Sequence, residues 1–100
     1  MRGVVKGQLI TALIDKEATH NFIDAVLVTR RGLHTEEFEG LDVIVGDEYN
    51  SDCTRLVPGL SVTIGNYNFV SGFYVIDLAN LNMVLRIQWL YSLRRHIVEY

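Results

Sequence analysis

The sequence predicts a small, mainly β, barrel-like domain, and a single one in its 100 residues. Two observations carry the prediction. Short apolar runs rich in Val, Ile, Leu and aromatics recur along the chain. Glycine-bearing turn signals separate them, at Lys6-Gly7, Gly46-Asp47, Pro58-Gly59 and Gly65-Asn66. The composition agrees: 49% of residues are hydrophobic and 21% are charged, which excludes a disordered chain. A chain this short buries a modest core, so a dimer covering further apolar surface is a natural way to stabilise it.

Val4 and Val5 form the first strand and Lys6-Gly7-Gln8 the turn after it. Residues 9–14 form the second strand, with Leu9, Thr11 and Leu13 on one face and Ile10, Ala12 and Ile14 on the other. Both faces are largely apolar, the pattern of a strand buried on two sides. Residues 21–31 are a helix candidate, with Phe22, Ala25, Val26 and Thr29 on one stripe. Thr19 or Asn21 is placed to cap it, Asp24 to sit in its first turn, and Gly32 to end it behind Arg30 and Arg31. Its Val and Thr content leaves a strand over residues 25–29 as the alternative.

Residues 35–40 are acidic and read as a loop. Residues 41–45 and 53–57 read as a hairpin whose turn is residues 46–51, and Pro58-Gly59 reads as a second turn. Residues 60–64 alternate Leu, Val and Ile with Ser and Thr, as a half-buried strand does. Gly65-Asn66 is a tight hairpin signal, and residues 67–76 follow as a long strand broken at Ser71-Gly72. Residues 77–82 read as a loop, 83–85 as a short strand, 87–93 as a helix turning Trp89, Leu90 and Leu93 to the core, and 96–100 as a closing strand. That abrupt, strand-like end is expected of a fragment of a longer polypeptide.

The net charge of −3 provides no basic footprint for nucleic acid; Arg30-Arg31 and Arg94-Arg95 read as solvated helix ends. No apolar run approaches the ~20 residues of a membrane span, and no signal peptide is evident. Cys53 is alone, which rules out an internal disulfide and fits an intracellular, cytoplasmic protein with a spectator thiol.

The chemistry-bearing stretch is Leu13-Ile14-Asp15-Lys16-Glu17-Ala18-Thr19-His20-Asn21-Phe22-Ile23. An apolar strand runs straight into an aspartate. The stretch resembles the active-site turn of retropepsin-like aspartic proteases, most closely those of plant gypsy-type LTR retrotransposons, which read Leu-Ile-Asp-Ser/Thr-Gly-Ala-Thr-His-Asn-Phe-Ile. Phe73-Tyr74-Val75-Ile76 resembles that family's Phe-Tyr-Val-Leu strand. Met83-Val84-Leu85-Arg86-Ile87-Gln88-Trp89-Leu90 resembles its Val-Ile-Leu-Gly-Met-Gln-Trp-Leu. The resemblance covers almost the whole chain. It departs from the family at Lys16, Glu17 and Arg86.

The resemblance implies a small closed β-barrel with a short C-terminal helix and a second helix after the active-site turn. It implies a flap at Gly46, Asp47, Glu48, Tyr49, Asn50 and Ser51, a catalytic Asp15 in each subunit of a C2 homodimer, and an extended peptide or protein segment bound under the flap. No metal or cofactor is called for. Two carboxylates about 3 Å apart share one proton; one activates water and the other hydrogen-bonds the scissile carbonyl. The turn Lys16, Glu17, Ala18 and Thr19 departs from what this chemistry needs. A lysine offers donors only, so it cannot replace a hydroxyl that bridges the two turns. Glu17 adds bulk where the family has glycine, and so does Arg86. A domain with its peptidase activity lost, serving as a dimerisation or peptide-binding module, is therefore expected. A weakly active homodimeric endopeptidase that processes a retroelement polyprotein is the alternative.

Overall fold

A computed structural model describes residues 1–46, 48–86 and 88. Their order is β1 (Arg2–Val5), β2 (Gln8–Asp15), β3 (Phe22–Asp24), α1 (Ala25–Arg31), β4 (Glu36–Val45), β5 (Glu48–Ile64), β6 (Tyr67–Ile76) and β7 (Met83–Arg86). The expected helix over residues 87–93, its core-facing Trp89, Leu90 and Leu93, and the closing strand over residues 96–100 lie outside the described residues, Gln88 apart.

The strands pair in the order β1-β2-β7-β3-β6-β5, and β1 pairs β5 to close the ring. The result is a six-stranded closed barrel with β4 added outside it on β5. Closure removes free edges from the ring itself. Two pairings are parallel, β2 with β7 and β3 with β6. The former sets Asp15 opposite Arg86. The 17-residue β5 serves both parts: its first half pairs β4 in a projecting hairpin, and its second half pairs β6 inside the barrel.

Two apolar clusters hold these pieces. The larger fills the barrel with Val5, Ile10, Ile23, Leu27, Leu60, Val62, Phe73, Met83 and Leu85, among others. The smaller joins Ala18, Phe22, Val43, Cys53, Ile76 and Val84, and so packs the projecting hairpin against the turn that follows β2. Each fully buried side chain of this size contributes about 1.5–3 kcal/mol. Phe22 and Phe73 are the largest of them.

Several expectations need correction. β2 is buried on one face only: Ile10 and Ala12 are inside, while Leu9 is 71% and Leu13 47% exposed. Hydrophobicity on both faces does not distinguish a covered face from an uncovered one. The helix begins at Ala25, not at residue 21, because Phe22–Asp24 are drawn out as β3 between β6 and β7. Asp24 sits at the N-cap without a side-chain cap bond; its Oδ1 accepts the Leu78 N–H at 2.9 Å. Within the helix Leu27 and Val28 are buried, while Val26 and Thr29 of the expected stripe are exposed; Phe22 is buried, but in β3, and Ala25 packs partly against the core. The end is as expected: Gly32 takes the left-handed conformation after Arg30 and Arg31.

The acidic segment over residues 35–40 is strand from Glu36 onward, the start of β4. Pro58-Gly59 does not turn the chain. It forms a register shift within β5, between the pairs Val57↔Phe73 and Leu60↔Ser71. β6 likewise runs unbroken through Ser71-Gly72, which lies opposite that irregularity.

Candidate active site

β2 delivers Asp15 to the rim of the barrel, and the turn after it is shaped by the aspartate itself. The Glu17 N–H donates to Asp15 Oδ1 at 2.8 Å, and the Ala18 N–H reaches the Asp15 carbonyl at 3.4 Å. Asp side chains commonly organise turns this way, bonding the backbone two residues on. Ala18 is then buried in the smaller cluster, while Lys16 and Glu17 are left exposed.

Thr19 ties this turn to the projecting hairpin. Its N–H donates to the Ile44 carbonyl at 3.1 Å, and its Oγ1 accepts the Ile44 N–H at 3.1 Å. The hydroxyl has two further neighbours, the Ile44 carbonyl at 3.4 Å and His20 Nδ1 at 2.8 Å. Burial, aided by the nearby Arg86 guanidinium, lowers the His20 pKa. The shift favours the neutral imidazole, whose Nδ1 donates to or accepts from the Thr19 hydroxyl according to its tautomer. The ring packs edge-on against Tyr74, centroids 4.9 Å apart.

The hairpin turn closes on the aspartate. Gly46, left-handed at φ +62, donates its N–H to Asp15 Oδ2 at 2.5 Å. Asp15, Gly46, Glu48, Tyr49 and Asn50 line a cleft of about 240 Å³ with an apolar wall that includes Leu13, Ile76, Leu78 and Val84. Of the expected flap residues, Gly46, Glu48, Tyr49 and Asn50 therefore meet the aspartate in one cleft. Asp47 lies outside the described residues. Tyr49 is exposed, and a hydrogen bond to Asp42 raises its phenol above the ordinary pKa.

Lys16, Glu17 and Arg86 do not line the cleft. Arg86 is exposed at the end of β7, in register with Asp15. Its N–H donates at 2.7 Å to Oδ1 of Asn21, a residue 8% exposed whose Nδ2 also reaches Ser71 Oγ at 3.4 Å. Asn21 thus pins the strand beside the aspartate to β6. Sequence reasoning placed Asn21 and Thr19 only as helix caps or turn residues. The signal was available: three polar residues in a row, Thr19, His20 and Asn21, stand between the apolar Ala18 and Phe22. Cys53 is fully buried, and burial raises its thiol pKa, which suits an inert packing residue.

A closed barrel, an aspartate at the end of a strand, and a hairpin folded over that aspartate define a retropepsin-like aspartic protease domain. The chain belongs to the retroviral aspartyl protease family, whose sequence pattern matches residues 2–100. Its fold is similar to the crystal structure of the retroviral protease-like domain of Ddi1 from Leishmania major, with a TM-score of 0.64. The match spans 91% of this chain and 73% of that one at 16% identity, so the likeness is one of fold. No curated protein matches the chain. Among the described residues, no helix is long and apolar enough to cross a membrane.

Proposed function

We propose that this chain is a pseudoprotease: a retropepsin-like domain, of gypsy-type retrotransposon or captured host-gene origin, that no longer cleaves peptides. It serves as a dimerisation or peptide-binding module, as one domain of a longer polypeptide. One observation carries the reading. The turn keeps the backbone bond from Glu17 to Asp15, yet its two exposed positions hold a lysine and a glutamate. In the family those positions are a hydroxyl residue that bridges the two subunits and a glycine that leaves room for substrate. A lysine is donor-only, and two lysines near a two-fold axis repel unless carboxylates offset them.

The retained turn geometry favours a second reading, a weak homodimeric aspartic endopeptidase. Both are tested by incubating an unstructured protein substrate at mildly acidic pH with the chain and with its Asp15→Asn variant. We expect no cleavage by either. Cleavage by the unaltered chain that disappears in the variant overturns the pseudoprotease reading.

The dimer has its own test. Lys16 and Glu17 of two subunits offset one another near the axis in this reading, so Lys16→Ala should weaken self-association about three- to tenfold at low salt. Sedimentation equilibrium measures this, and an unchanged association constant refutes the arrangement.

A further inference from the structure

We propose that Asp15 is a latch: its carboxylate holds the flap closed on its own chain, and a ligand entering the cleft must displace Gly46 from it. Both carboxylate oxygens are engaged by backbone of the same chain, Oδ1 by the Glu17 N–H at 2.8 Å and Oδ2 by the Gly46 N–H at 2.5 Å. Bonds from an amide to a carboxylate are about twice as strong as neutral ones. Asp15 and Gly46 line the same cleft, so this bond closes part of its wall.

The hairpin is tied down at two places. Thr19 fixes Ile44 through the N–H and the carbonyl, and Asp15 takes the amide two residues further, at the turn. Gly46 reaches it in the left-handed conformation that glycine adopts without penalty. β4 pairs only with β5 among the described residues, so a tip without these ties would depend on its own hairpin alone.

The latch accounts for the pattern of residues at the turn. It requires a carboxylate at position 15. It requires no hydroxyl at 16 and no glycine at 17, because the bond to Oδ1 comes from a backbone amide that any residue but proline supplies. Asp15 is thus a positioning residue for the flap whether or not the chain retains chemistry, and the proposal stands or falls separately from the pseudoprotease reading.

The test is amide hydrogen exchange by NMR on the full chain. In the unaltered protein the Gly46 amide should exchange at least about tenfold slower than in an unstructured peptide. In Asp15→Ala that protection should vanish, while the Ile44 amide, held by Thr19, keeps its own. Asp15→Asn, nearly the same shape, provides the measurement should the alanine variant fail to fold. Its single carbonyl oxygen cannot serve both donors, and its NH₂ group confronts the other, so Gly46 or Glu17 should lose protection. A Gly46 amide unprotected in the unaltered chain overturns the latch. So do Gly46 and Glu17 amides unchanged in a folded variant, and so does equal loosening of Ile44 and Gly46.

Discussion

Replacing Lys16 by serine, Glu17 by glycine and Arg86 by glycine together is expected to raise peptide cleavage at least about a hundredfold over the unaltered chain. Adding Asp15→Asn should abolish the gain. The expectation comes from what is already in place. β2 delivers Asp15 to the rim, the Glu17 amide holds one carboxylate oxygen, and the flap residues Gly46, Glu48, Tyr49 and Asn50 share a cleft with it. In the pseudoprotease reading, the missing elements are a hydroxyl that both donates and accepts across the axis, and space above the carboxylates. Lys16→Ser addresses the first and Glu17→Gly the second. Arg86 stands in register with Asp15, and its guanidinium lies near enough to His20 to depress that residue's pKa. Removing it restores the small residue that the family has at this strand position opposite Asp15. All three act on one geometry, so single reversions should give far less than their share of the gain. Initial rates on a peptide library, measured for each single variant and the triple, decide it. Activity fully restored by Lys16→Ser alone would mean that Glu17 and Arg86 do no harm. A triple variant that dimerises yet stays inactive would place the defect elsewhere.

Where local chemistry decides the backbone, the sequence was legible. Gly7 and Gly65 turn the chain in the left-handed conformation glycine favours, with Lys6 drawn into it as well at φ +50, and Gly32 stops the helix. The run from apolar strand to Asp15 and the turn behind it could be read directly. Where distant partners decide, it was not legible. Phe22 to Asp24 carry helix-compatible spacing, but β6 and β7, some 50–60 residues away, take them as a central strand. Residues 36–40 read as a polar loop because an edge strand exposes most of its side chains; Phe38 alone among them packs against the core. Pro58-Gly59 gave a true local signal of irregularity, and only the pairing with β6 shows that the chain continues instead of turning. The same holds for the site. Asp15 was visible from the residues around it, whereas its contact with Gly46 depends on how a hairpin more than 30 residues later is hung, which no local pattern encodes.

Gly3→Val is expected to cost about 2–3 kcal/mol of folding stability, and Gly7→Ala about 1 kcal/mol. The two glycines sit on the same β1–β2 hairpin but are there for different reasons. Gly3 is the point at which β1 approaches β5 to close the ring, in the pairs Gly3↔Ile64 and Val4↔Thr63. A Cβ on it would meet the Thr63 carbonyl oxygen at 2.5 Å and Ile64 Cδ1 at 2.8 Å. Ile64 has other rotamers, but a backbone oxygen within a sheet does not move without its strand, so the seam has to open. Gly7 has nothing within 4 Å of its would-be Cβ, and only its φ of +79 resists a side chain. One effect is steric and lies at the β1–β5 link that, among the described residues, closes the sheet into a barrel; the other is conformational and local to a turn. A domain of this size has a total stability of about 5–15 kcal/mol, so the valine removes a large share of it. Thermal unfolding should show a midpoint about 8–24 °C lower for Gly3→Val and about 4–8 °C lower for Gly7→Ala. Equal losses at the two positions would mean that the β1–β5 contact is looser than the register requires, and that the ring is held by its other five pairings.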